Sequence, residues 1–230
     1  MKPTRFPKGI STGSRNSALF DFSAPDPTKN HVFFDDFDCY VAGDWTVTKI
    51  GAGGSAALAD ADGGVLAITT DALDDDQVTL QKVGESFLME SGKEAWFKAR
   101  FKVADATQSD MQIGLVVTDT TPLDATDGVY FQKDDGDALL DVYCRKDATT
   151  GSTSATGIHT VVDNTYLTVG WYYDGISEIS YFVNDVKKGT LAATSAFLPD
   201  TELTVSMSYK NGEAGAIAMS IDYVFAAKSR

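Results

Sequence analysis

The stretch AWFKARFKV, residues 95 to 103, alternates without a break. Ala95, Phe97, Ala99, Phe101 and Val103 fall on one side, and Trp96, Lys98, Arg100 and Lys102 on the other. A period of two is the signature of an extended strand with one dry face and one wet one, and a helix of this sequence would scatter both sets. Shortly after it, MQIGLVV (residues 111–117) is apolar on both faces apart from Gln112, as a strand in the middle of a sheet would be. The same texture recurs along the chain. HVFFDDFD, GDWTVTKI and GGVLAITT are separated by glycine-rich turns, and GVYFQKDDGDALLDVYC reads as a hairpin around DDGD. In YLTVGWYYDGISEISYFV the Asp174-Gly175 pair suits a type I′ turn, and FVNDVKKGT turns again at Asn184-Asp185. AIAMSIDYVF puts Ile217, Met219, Ile221, Tyr223 and Phe225 on one face, opposite Ala218, Ser220 and Asp222. About a dozen strands with regular turn signals, and no amphipathic helix, predict an all-β sandwich of two antiparallel sheets. The low-complexity run ATTGSTSATG (148–157) reads as a loop.

Residues 1–30 are different. They hold four of the six prolines and no alternating run. Proline removes ladder donors, so this segment reads as an extended N-terminal arm and residues 31–230 as the sandwich domain. The arm carries spaced apolar residues, Phe6, Ile10, Leu19, Phe20 and Phe22, beside Arg5 and Arg15. Those seven are the expected partner-binding set of the arm. Charge divides the same way. The arm has five basic and two acidic groups, while the other 200 residues have 14 basic and 31 acidic groups, a net −17. Such a body repels phosphate, which argues against nucleic-acid binding. No apolar run is long enough to cross a membrane as a helix, and the N-terminus has no apolar signal-type run. Cys144, in phase with Leu140 and Val142, is expected to be a buried free thiol.

Motifs for chemistry are sparse. A retaining glycosidase needs two carboxylates flanking one sugar bond, commonly supplied in phase from one strand. The six glutamates are Glu85, Glu90, Glu94, Glu178, Glu202 and Glu213, and none begins a Glu-x-Asp run. Glu90 and Glu94 have the spacing, but Gly92 lies between them in a loop-like stretch. Two histidines, no zinc-type Cys/His cluster, no nucleophile elbow and no phosphate loop leave the reading non-enzymatic, with no catalytic, cofactor-binding or metal residue assigned. Calcium is the one ion the acidic clusters Asp74-Asp75-Asp76, Asp124 with Asp127, and Asp134-Asp135 with Asp137 leave open; solvated turn residues are the simpler account of them. Trp45, Trp96 and Trp171 are candidates for stacking on sugar rings, against ordinary packing. Trp96, Lys98, Arg100 and Lys102 form an expected basic stripe for contact with another subunit.

Two resemblances add to this. The ordered series FFDDFD, GDW, GGVLAITT, WFKARFKV, YDGISEISYFVNDVKKGT and MSIDYVF resembles the concanavalin-A-like jelly rolls, a group that includes laminarinase- and lichenase-type glucanases and laminin-G-like domains. It covers roughly residues 31–227 and implies a jelly-roll fold. A narrower likeness, carried by the basic Pro/Gly-rich arm, KARFKVADATQSDMQIGLVVTDTTP, DGVYFQKDDGD and IDYVFAAK, is to virion proteins of tailed bacteriophages. It implies a capsid decoration or cement protein, assembled in the host bacterial cytoplasm and located on the capsid surface. Its partners would be the major capsid protein and further copies of itself, a trimer being the favoured homo-oligomer. The alternatives are a carbohydrate-binding virion or extracellular module, with a glycan as partner, and a degenerate glycoside hydrolase.

Overall fold

A computed structural model of the chain describes residues 28–51, 53–149 and 153–230. The arm residues Arg5, Phe6, Ile10, Arg15, Leu19, Phe20 and Phe22 lie outside the described residues.

Among the described residues, sixteen strands form two eight-stranded antiparallel sheets. The first contains β1 (Asn30–Asp35), β3 (Ser55–Leu58), β4 (Leu66–Thr69), β7 (Ala95–Val103), β12 (Leu167–Tyr173), β13 (Glu178–Val183), β14 (Val186–Ala192) and β16 (Ala218–Ser229). Their order is β14-β13-β12-β7-β16-β4-β3, with β1 also paired to β16. The second contains β2 (Trp45–Ile50), β5 (Gln77–Lys82), β6 (Phe87–Leu88), β8 (Ser109–Val116), β9 (Gly128–Lys133), β10 (Leu139–Arg145), β11 (Thr153–Thr160) and β15 (Glu202–Asn211). Their order is β11-β10-β9-β8-β15-β5-β2, with β6 on β15.

The core lies between the sheets and follows the alternation. From β7 it takes Ala95, Phe97, Ala99, Phe101 and Val103, and from β8 it takes Met111, Ile113 and Leu115. Trp171 stacks on Phe97 with ring centroids 6.0 Å apart. Each such side chain, fully removed from water, contributes roughly 1.5–3 kcal/mol. β8 occupies an interior position between β9 and β15, as its apolar run predicts. Cys144 is buried and unbridged.

Three local expectations need correction. In β16 the register shifts between Ile221 and Tyr223. This bulge adds one residue, so Met219, Ile221, Val224 and Ala226 face the core while Tyr223 and Phe225 are carried to the outside. The turn after β12 is not a two-residue type I′ turn: Gly175 has positive φ but Asp174 does not. Instead the Asp174 carboxylate accepts the backbone N–H groups of Ile176, Ser177 and Glu178, closing a longer loop. The Asn184-Asp185 turn does have positive φ at both positions. Finally, Thr153–Thr160 of the low-complexity run and its flank is strand β11 rather than loop, because Leu139 to Cys144 offers it a ladder.

Candidate functional site

Each sheet has an outer face, and the two differ in chemistry. On the first sheet, Trp96, Lys98, Arg100 and Lys102 do project together from β7, opposite the core. They do not form an exposed basic stripe. Lys98 is buried and its ammonium sits 2.6 Å from Asp185. Arg100 pairs with Asp222 and lies over the Tyr166 ring at 4.0 Å. Lys102 is 5.1 Å from the same ring. Trp96 is buried with Tyr172, Phe182 and Ala227. The cause is neighbouring acid and aromatic groups delivered by β12, β16 and the β13–β14 turn, which alternation within β7 cannot reveal. Glu94 accepts a hydrogen bond from the Tyr172 hydroxyl, and Glu90 pairs with Lys93 at 2.7 Å. The two glutamates therefore do not form a facing pair.

The tryptophans are packing residues. Trp171 is in the inter-sheet core, and Trp45 packs among Phe33 and Phe37. None of the three lies on the outer face of the second sheet.

That face is polar. Strand register aligns two rows across it. One runs Asp141, Gln132, Gln112, Ser208, Thr79, Thr48 over β10, β9, β8, β15, β5 and β2. The next runs Tyr143, Tyr130, Gly114, Ser206, Gln81, Thr46 over the same strands. Gln77 donates to Thr79, and Thr79 to Ser208, each at 2.9 Å. Gln81 donates to Ser206 at 2.9 Å and to the Val117 carbonyl at 3.1 Å. Gln112, opposite Ser208, stands outside this relay. Its side chain is fully buried, and neither its amide nitrogen nor its amide oxygen has a partner. An unsatisfied buried amide costs about 1–3 kcal/mol, so such a group calls for an explanation.

Beside Gln112, Tyr130 and Tyr143 stack with centroids 5.4 Å apart. Burial and then the Asp141 carboxylate push the Tyr143 phenol up to about 12. Burial raises Tyr130 as well, against the opposing hydrogen bond from Arg145. Gly114 lets Tyr130 pack closely against β8; a Cβ there would stand 2.5 Å from Tyr130 Cα. The loop 117–127 folds over the Gln81 side. Asp119 N–H donates to Gln81 at 3.0 Å, Thr118 N–H donates to Glu85 at 2.9 Å, and Ala125 packs on Val116 and Tyr130.

Among the described residues the face has two cations, and both are tied down. Lys210 lies 2.6 Å from Asp75 and 3.2 Å from Asp110. Arg145 lies 3.5 Å from Asp124 and donates to the Ala148 carbonyl at 2.9 Å. No strand of this face presents two carboxylates in phase: β8 contributes Asp110, β10 Asp141 and β15 Glu202. Chemically the face offers amides, hydroxyls, two phenols and single carboxylates, with the Tyr143 hydroxyl donating to Asp141 at 3.3 Å, rather than the facing carboxylate pair of a retaining glycosidase.

The acidic clusters separate. Asp76 is buried and accepts Leu73 N–H at 3.2 Å, while Asp137 caps Leu139 N–H at 2.7 Å. Asp124 goes to Arg145. Asp127 instead meets Asp147 and Asp200, with one oxygen of each within 4.8 Å of the others. Asp200 is also 2.6 Å from Lys146, whose charge balances part of that cluster.

Sequence reading missed the two polar rows. The signal was present in GVYFQK and LLDVYC, whose alternation puts Tyr130 and Gln132, and Asp141 and Tyr143, opposite the core residues. What sequence did not supply was the register that lines them up.

No protein-family model matches this chain, and no curated protein sequence does. Solved structures do. An endo-1,3-beta-glucanase from Streptomyces sioyaensis superposes with a TM-score of 0.63 at 14% identity, covering 90% of this chain and 99% of that one. A protein of unknown function from Shewanella oneidensis gives 0.60 at 16% identity, covering 87% of each chain. Peanut lectin gives 0.58 at 13% identity, covering 87% and 98%. With identities this low the likeness is one of architecture: the chain has the two-sheet jelly-roll fold of concanavalin-A-like lectins and glucanases.

Proposed function

We propose that this protein is a non-hydrolytic carbohydrate-binding module that engages a glycan on the outer face of its second sheet. The observation that carries the reading is the row Gln132–Gln112–Ser208–Thr79 with a buried, unpartnered amide at its centre. A primary amide presents a donor and an acceptor side by side, which matches the vicinal hydroxyls of a sugar. Tyr143, half-buried and stacked on the buried Tyr130, supplies aromatic surface beside it. Folds of this type in glucanases and lectins support the class of ligand. The lack of an in-phase carboxylate pair supports binding without cleavage. The test is affinity electrophoresis of the full chain through gels containing individual polysaccharides, with a reducing-end assay on the same mixtures. Retardation without new reducing ends is expected; new reducing ends would make the protein a hydrolase.

A second reading rests on a separate observation, the likeness of KARFKVADATQSDMQIGLVVTDTTP and the basic arm to tailed-phage virion proteins. In it the chain decorates a capsid as a homo-oligomer, attached through residues 1–30, and the sugar-binding face points outward. Quantitative mass spectrometry of purified virions tests it: a copy number comparable to the capsid protein is expected, and absence from virions removes the reading.

A further inference from the structure

We infer that the face selects an uncharged glycan over an acidic one, and that Gln112 is its specificity-determining residue. This rests on the carbohydrate-binding reading above and adds the class of sugar.

A uronate or sulfated polymer needs an unengaged cation in its site, with arginine the usual choice for planar carboxylates. Lys210 is held between Asp75 and Asp110, and Arg145 by Asp124 and the Ala148 carbonyl. Asp141 sits at one end of the central row itself. The sandwich around it carries a net −17, which repels polyanions at long range. What the centre of the row does offer is the Gln112 amide, fully buried with both polar atoms unpartnered. Such an amide gains most from a ligand group that can both donate and accept without bringing a charge, and a hydroxyl pair does so. A carboxylate at that point could take the N–H but would leave the amide oxygen facing an anion. Thr79 and Ser208 of this row, and Ser206 of the next, already have hydrogen-bond partners through one another, Gln77 or Gln81, whereas the buried Gln112 amide has none and its bonding is left for a ligand to complete.

Burial also gives the inference a signature. The centre of the row is closed to solvent, while Gln132, Asp141 and Thr48 at its flanks are partly open. A sugar that bonds the Gln112 amide must displace the groups that close over it, so association is expected to be slower than for an open groove.

The test is calorimetric titration of the full chain with neutral hexasaccharides (cello-, xylo- and laminarihexaose) and with hexamers of galacturonate and mannuronate. Gln112→Met and Asp124→Asn are run in parallel, and each variant is melted. At least one neutral hexasaccharide is expected to bind at least tenfold more tightly than either uronate. Gln112→Met should lose at least tenfold in that affinity while its melting temperature holds or rises, because an unsatisfied amide has been removed. Asp124→Asn, which removes the one carboxylate paired with Arg145 and leaves its bond to the Ala148 carbonyl, should raise uronate affinity. Tighter binding of a uronate by the unaltered chain overturns the neutral selection, and so does unchanged uronate affinity in Asp124→Asn. Unchanged neutral-sugar affinity in Gln112→Met, or a fall in its melting temperature, overturns the role of Gln112. Failure of every hexasaccharide to bind overturns this inference together with the carbohydrate-binding reading, whereas uronate preference leaves that reading standing.

Discussion

Ser208 and Gln112 lie directly opposite each other on β15 and β8, yet only Ser208 is satisfied. Thr79 donates to the Ser208 hydroxyl at 2.9 Å, and the hydrogen-bonded relay from β5 stops there. One strand further on, a fully buried amide meets nothing. A sheet face that served only to be solvated would leave that amide in water. A face that served only to be packed would carry a leucine. The pairing of a finished hydroxyl with an unfinished amide, in a fold shared with lectins and glucanases, is what the functional reading grows from.

Gly114 keeps β8 and β9 close. A Cβ would stand 2.5 Å from both Tyr130 Cα and the Val129 carbonyl oxygen, which are backbone atoms of the neighbouring strand. Gly114→Ala is therefore expected to cost about 2–3 kcal/mol, in the usual range for overpacking. Equilibrium urea unfolding measures it; a loss below about 0.5 kcal/mol would show that the strands part without penalty.

Lys98 is buried against Asp185, which is itself partly exposed. Removing the acid takes the carboxylate from a buried cation, while removing the cation leaves an acid near water. Asp185→Asn should cost about 1–2 kcal/mol after allowing for solvent screening. Lys98→Met should cost less. A double-mutant cycle gives the coupling directly, and a coupling energy near zero would mean that the two groups act independently.

Several phenols titrate high because burial disfavours the tyrosinate. Tyr143 and Tyr223 are each pushed up to about 12 from 10.0. The sign follows from linkage. The folded state holds these protons more tightly than the unfolded one, so the stabilisation is fully present below pH 10 and is lost as pH rises towards 12. Alkaline denaturation is expected in that window. Absorbance at 295 nm, followed alongside circular dichroism, checks it: tyrosinate formation by these residues should coincide with unfolding, not precede it.

The two cysteines should differ sharply. Cys39 is exposed, whereas Cys144 is buried, donates to the Phe197 carbonyl at 3.3 Å, and has its thiol pushed up to about 12 by burial. With a disulfide-exchange reagent at neutral pH, Cys39 is expected to react in the native protein and Cys144 only after denaturant is added. Fast reaction of both would place Cys144 at the surface.

Sequence alone determined the class of fold and the sidedness of most strands. The alternation in AWFKARFKV and the apolar run MQIGLVV were enough, because burial of one face or both imposes a period that survives in the residue order. Cys144, Phe97 and Leu140 were legible as core for the same reason. Tertiary structure decided the rest. The bulge beyond Ile221 reversed the faces of Tyr223 and Phe225, since one extra residue in a strand flips everything after it and no local composition announces it. Lys98 and Arg100 acquired partners from Asp185 and Asp222, residues far away in the chain. The row Gln132–Gln112–Ser208–Thr79 exists only through register, because four polar residues from four strands become neighbours when hydrogen-bonded ladders bring them side by side. Period two tells which way a side chain points, whereas the pairing of the sheet tells what it points beside.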